Sequence, residues 1–237
     1  MKEFHWLDKI KLLAIVLYVS IALALGDVNI SKALQDWLIM LTHLSSVPLV
    51  VVLWKTQWVA ITLAIGVVFS VACHIAIIFD VFLWRIEPLD IAFANLTLML
   101  VVCILVFKKI PLIALPILFT ITVVNTVFWD QMIVYGVFSG IANVGAIGYV
   151  LYRQCYPSDN RDDRFMLIGI LTGIVGMVFF LMDGKHDDKN YALLHSVWHV
   201  CSYGSLYFAV RSDTGTELRR PRIEFAVEYN KIEFALH

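Results

Sequence analysis

Charge is scarce in this 237-residue chain: Asp, Glu, Lys and Arg make up 16% of it. Soluble domains carry roughly 25%. The formal net charge is −1, and the few Lys and Arg are scattered over several loops. That pattern gives no basic face for nucleic acid, so nucleic acid is not expected as a partner. Four cysteines, Cys73, Cys103, Cys155 and Cys201, show no paired spacing. They imply neither a disulfide framework nor a thiolate metal site. No polar stretch is long enough for a separate soluble domain.

What fills the chain instead is hydrocarbon: 60% of residues are hydrophobic and the mean hydropathy is +0.82. The apolar residues fall in runs of about 17–23, the length that crosses a hydrocarbon core of about 30 Å. They lack the alternation of a β-barrel strand. The expected fold is an all-α, multi-pass membrane protein, a seven-transmembrane helix bundle behind an N-terminal hydrophobic segment. Spans are expected at about 37–54, 57–79, 89–107, 111–129, 131–152, 165–182 and 191–210. Three regions result: the N-terminal segment 1–26, the helical domain 37–210 and a charged tail 211–237.

The segment 1–26 reads two ways. Lys2 and Lys9 precede an apolar run that reaches Ala22-Leu23-Ala24, as in a cleaved signal peptide. The same run is long enough for an extra membrane helix. An Asn29-Ile30-Ser31 sequon follows. Lys and Arg number 14 on one set of alternate loops and 4 on the other. The first set, which includes the tail, is expected to be cytoplasmic. This places the C-terminus inside and fits a plasma-membrane or secretory-pathway protein. The tail repeats loosely, Arg222-Ile-Glu-Phe-Ala-Val against Lys231-Ile-Glu-Phe-Ala-Leu, and reads as a solvated or surface-lying segment.

Against this background, polar groups inside the spans stand out, because they are costly there and usually functional. His195 and His199 are i and i+4, one turn apart on one helical face. Ser70 and His74 share that spacing, and Asp90 stands near the start of the next span. The charge count puts all five in the outer third of the membrane, as one site. Three neutral imidazoles with an open position suit a catalytic zinc, which lowers the pKa of its water to about 7. Metal ligands are therefore His74, His195 and His199. Asp90 is the candidate to steer a proton or to hold a ligand imidazole. Ser70 is the candidate to hydrogen-bond the metal's water or a developing oxyanion. Simpler readings stand beside these: Ser70 as a helix-packing residue, Asp90 as a helix cap, His74 as an interhelical hydrogen-bonding group. Asp80 competes for the acid role but sits at a span end. His43, on neither motif, reads as packing or interfacial. His186, in the loop Asp183-Gly-Lys-His-Asp-Asp-Lys189, reads as solvated, with a loop ligand as the alternative.

Taken together, Ser70-Val71-Ala72-Cys73-His74, Leu89-Asp90 and His195-Ser196-Val197-Trp198-His199 resemble the pattern of the CREST superfamily. That group includes alkaline ceramidases, adiponectin/progestin-type receptors and the transmembrane protein 8 and myomaker proteins. Asn190-Tyr191-Ala-Leu-Leu-His195, Leu44-Ser45-Ser46-Val47-Pro48 and Tyr135-Gly136-Val137-Phe138-Ser139-Gly140 look most like the last branch. The resemblance covers residues 37–210. It implies a zinc on His74, His195 and His199 with Ser70 and Asp90 beside it. It further implies hydrolysis of an acyl ester or amide in a membrane lipid, the lipid being substrate or ligand. Two other classes remain expected alternatives: a myomaker-like, non-enzymatic protein of membrane remodelling or fusion with a structural zinc, and a heptahelical receptor. The pattern specifies no oligomeric state.

Overall fold

The computed structural model describes residues 5–25, 31–54, 57–79, 83–107, 114–127, 148, 162–182 and 190–212. Among these the chain is helical, with no strand. The expected span at 131–152 lies outside the described residues apart from Gly148. So do the Asn29 sequon, Asp80, His186, Cys155 and the tail beyond Ser212.

The helices are α1 (Trp6–Leu25), α2 (Lys32–Thr42), α3 (Val47–Leu53), α4 (Gln57–Phe79), α5 (Leu83–Phe107), α6 (Ala114–Val127), α7 (Asp163–Met182) and α8 (Tyr191–Ser212). Among the described residues, four stretches are long and apolar enough to cross a membrane: Ala33–Leu53, Val59–Phe79, Ile86–Leu105 and Asp163–Met182. Their outward faces are hydrocarbon; Leu167, Leu171, Ile174 and Leu181 on α7 are all exposed. In water such a surface would aggregate, whereas in lipid it is the expected exterior. The chain is thus built as a multi-pass membrane protein.

The stretch Ala33–Leu53 is not one continuous α-helix. His43–Ser46 forms a 3-10 turn between α2 and α3. Pro48, at the start of α3, is the cause. Its ring nitrogen has no hydrogen to give the carbonyl of Leu44, which instead accepts from the Val47 N–H, one residue nearer. The Ser46 hydroxyl donates to the His43 carbonyl at 2.7 Å and stabilises the tightened turn.

The innermost helix is α8. It packs along the length of α7 and also touches α1, α2, the 3-10 turn and α3. Its surroundings explain its sequence: it carries His195, Ser196, His199, Ser202, Tyr203 and Ser205, and falls outside the four apolar stretches. A helix enclosed by other helices can hold polar side chains that a lipid-facing one cannot. The α7–α8 contact depends on glycine. A Cβ built at Gly169 would stand 3.1 Å from the Ser205 carbonyl oxygen, and one at Gly176 would stand 2.7 Å from the Cys201 Cβ. Gly169, Gly173 and Gly176 form the small-residue stripe that lets two membrane helices approach closely. Gly176→Ala is therefore expected to cost about 1–3 kcal/mol, read as a lower unfolding temperature in detergent. Gly204→Ala meets mainly the mobile tip of Ile15 and is expected to cost less.

The ends of these two helices are also joined. The Asp162 N–H donates to the Ser212 carbonyl at 2.8 Å, and the Asp162 carboxylate accepts from the Arg164 N–H at 3.1 Å, capping α7.

Within the N-terminal segment, Trp6–Leu25 is helical, as either expected reading allows, and it falls outside the four apolar stretches. Helix α1 lies against α8, with Ile15 in the main core. The Asp8 carboxylate is fully buried and accepts four hydrogen bonds. These come from Tyr207 Oη (2.6 Å), Arg211 Nε (3.0 Å), Arg211 Nη2 (3.1 Å) and the His5 N–H (2.8 Å). Lys11 is buried too, and its Nζ donates to the Ser45 carbonyl in the 3-10 turn. Two charged side chains thus tie α1 to the interior of the bundle.

Candidate metal centre

Three elements supply the centre. Helix α4 contributes Ser70 and, one turn on, His74, both buried. Helix α8 contributes His195 and His199, and the 3-10 turn contributes His43. One nitrogen from each of His43, His74 and His199 lies within 4.8 Å of the others, and all three residues are buried. These three histidines can hold a metal ion. The ring centroids of His43 and His199 are 4.3 Å apart, those of His74 and His199 5.2 Å, and those of His43 and His74 5.5 Å.

The fit to a metal shows in what these nitrogens lack. Nε2 of His43 and Nδ1 of His199 are buried and have no hydrogen-bond partner among the described residues. An unsatisfied buried ring nitrogen costs on the order of 1–3 kcal/mol. A cation would turn that penalty into a bond, and neutral imidazoles are the usual nitrogen ligands of zinc.

Of the three histidines expected as ligands, His74 and His199 are brought together. His195 stands beside them rather than within the tight group. Its ring is 4.7 Å from His199 and 5.3 Å from His74 by centroid, it is only partly buried, and it stacks on Tyr191 at 5.0 Å. The 3-10 turn brings His43 inward instead, although it shares no motif with the other histidines. The reason is tertiary, since spacing along one helix says nothing about a residue arriving from another.

Ser70 and Asp90 do meet. Ser70 Oγ donates to Asp90 Oδ2 at 3.1 Å. This hydrogen bond joins α4 to α5 directly below the His74 turn. The hydroxyl proton is committed to the carboxylate, so Ser70 orients Asp90 here. Asp90 is not a helix cap: α5 begins at Leu83, two turns earlier. The expected start at residue 89 is displaced because Pro88 lies inside the helix rather than ahead of it.

Tyr203 is a further member that spacing within the motifs did not single out. Its hydroxyl is 3.3 Å from Nδ1 of His43, and its ring lies 6.1 Å from that of His199. A signal for it does exist. His195, His199, Tyr203, Tyr207 and Arg211 recur every fourth residue, one polar series from the centre to the Asp8 cluster.

Comparison with protein-family models, with curated proteins and with solved structures found no match to this chain.

Proposed function

We propose that the protein is a zinc-dependent integral-membrane hydrolase that cleaves an acyl ester or amide bond of a membrane lipid. One observation carries this reading: a cluster of buried imidazoles stands one helical turn from a hydrogen-bonded Ser70–Asp90 pair. His74 and His199 would hold the zinc with a third imidazole, from His43 or His195. The metal would supply a Lewis acid for the acyl carbonyl and acidify water at neutral pH. Asp90, held by the Ser70 hydroxyl, accepts the proton from attacking water and returns it to the leaving oxygen or nitrogen. The resemblance to the CREST pattern supports the same chemistry. The Lys and Arg asymmetry supports a cytoplasmic tail, and the burial of Asp8 and Lys11 supports retention of α1 as a bundle helix rather than its removal as a signal peptide.

A second reading is favoured by the fourth imidazole. Four nitrogen ligands close a tetrahedral zinc site, as structural sites do, and His195 lies close enough to the other three to be considered. Closed in that way, the site would belong to a non-enzymatic membrane-remodelling or fusion protein of the myomaker kind.

Metal analysis of the protein purified in detergent tests the premise common to both. About one zinc per chain is expected, and His199→Ala is expected to retain almost none. A metal-free wild-type preparation would overturn both readings. Incubation of the zinc-loaded protein with ceramide and phospholipid panels then separates them. Released fatty acid marks the hydrolase, and its absence the structural site.

A further inference from the structure

A neutral imidazole has one N–H and one lone pair, so whatever fixes its hydrogen also decides which nitrogen can bind a metal. His43 has an oxygen partner on one ring nitrogen and none on the other. Nδ1 faces the Tyr203 hydroxyl at 3.3 Å, and Nε2 is buried with no hydrogen-bond partner among the described residues. We infer that Tyr203 is the positioning residue that makes His43 the third ligand of the metal centre. With the Tyr203 oxygen as acceptor of the Nδ1 hydrogen, the Nε2 lone pair would be left for the ion.

Three further observations converge on this. First, the His43 ring approaches His199 more closely, at 4.3 Å, than His195 does at 4.7 Å, while the two stand at similar distances from His74, 5.5 and 5.3 Å. Second, His43 is 4% exposed, whereas His195 is partly exposed and stacks on Tyr191. Third, Tyr203 sits one turn beyond His199 on α8, so a single rigid helix sets both a ligand and the group that orients another ligand. Metal-bound histidines regularly donate their other ring N–H to an oxygen, and losing such a partner lowers metal affinity by about 10–100-fold. The 3-10 turn acquires a purpose in this arrangement. The turn holds His43 buried in the bundle, where Tyr203 meets it.

This inference rests on the zinc reading above, and its test is arranged so that the two can fail separately. The full-length protein in detergent is stripped with a chelator and titrated with Zn²⁺ alone against a competing chelator. Tyr203→Phe removes one oxygen and keeps the ring. It is expected to bind zinc about 10–100-fold more weakly, while its metal-free unfolding temperature stays near wild type. In the cobalt-substituted protein the same variant is expected to change the visible ligand-field absorption. His43→Ala is expected to lose zinc, and His195→Ala to keep most of its affinity. A metal-free wild type would defeat the zinc reading itself. Zinc-loaded wild type together with undiminished affinity in Tyr203→Phe would defeat only the role of Tyr203, even if that variant unfolds at a lower temperature. Unchanged affinity in His43→Ala with loss in His195→Ala would return the third position to His195. If His43→Ala fails to fold, the Tyr203→Phe affinity and cobalt spectrum decide the matter.

Discussion

Asp90→Asn is expected to keep its zinc and to release fatty acid about 10²–10⁴-fold more slowly than wild type. The amide is nearly isosteric and still accepts the Ser70 hydrogen through its oxygen, so the α4–α5 contact at 3.1 Å survives. What disappears is the carboxylate's capacity to take a proton. Zinc content measured on the same preparation separates this from loss of the metal, because Asp90 is outside the histidine cluster. Ser70→Ala provides the graded comparison. It leaves the base but removes the hydrogen bond that aims it, so a smaller loss of turnover is expected with the metal again retained. Equal rates in wild type and Asp90→Asn would remove Asp90 from the chemistry. No release by either protein would favour the closed structural site.

The second large effect is on stability. Asp8→Ala is expected to destabilise the protein by about 3 kcal/mol, the lower end of the cost of breaking a buried ion pair, because Arg211 is 22% exposed and retains some water. In a chain of this length that corresponds to an unfolding temperature lower by roughly 6–12 °C. The loss arises from what stays behind: the Arg211 guanidinium and the Tyr207 hydroxyl both give hydrogen bonds to Asp8. Asp8 also has a pH signature. Burial by itself raises its pKa, but the hydrogen bonds from Arg211, Tyr207 and the His5 N–H, with the Arg211 charge, outweigh it and leave the carboxyl below its ordinary 3.8. A lowered folded-state value stabilises at any pH above the unfolded value. That contribution is lost as the pH falls through the folded value. The gap in unfolding temperature between wild type and Asp8→Asn is therefore expected to be full at pH 7 and pH 5, and to close only below about pH 4. A gap already shrinking between pH 7 and pH 5 would point to a different titrating group.

Both experiments bear on parts of the molecule that were legible to different degrees. Ser70 and His74, and likewise His195 and His199, are visible as pairs because a helix puts i and i+4 on one face wherever it lies. That Asp90 meets Ser70 was expected only through the shared depth given by the loop charges, and the hydrogen bond between them is a contact between helices. His43 illustrates the converse. Alone in its span, it carries no spacing signal, and its place in the centre comes from how the turn that holds it packs against α4 and α8. The first segment is a similar case. A basic start, an apolar run and small residues fit a leader or a helix equally, and nothing within 1–26 names Arg211 as the partner of Asp8.

The sequence by itself determined the solvent and the element: long apolar runs with few charges have to be helices in lipid, because only a helix satisfies its own backbone there. It also determined which polar side chains share a face within each helix. The tertiary structure decided which helices meet and at what register. Glycines at 169, 173 and 176 let α7 close on α8, the 3-10 turn holds His43 buried, and Asp8 binds α1 to the end of α8. Periodicity is a property of one helix, whereas a metal centre is a property of several. Its membership is therefore set by the packing between helices, on which the spacing within any one of them is silent.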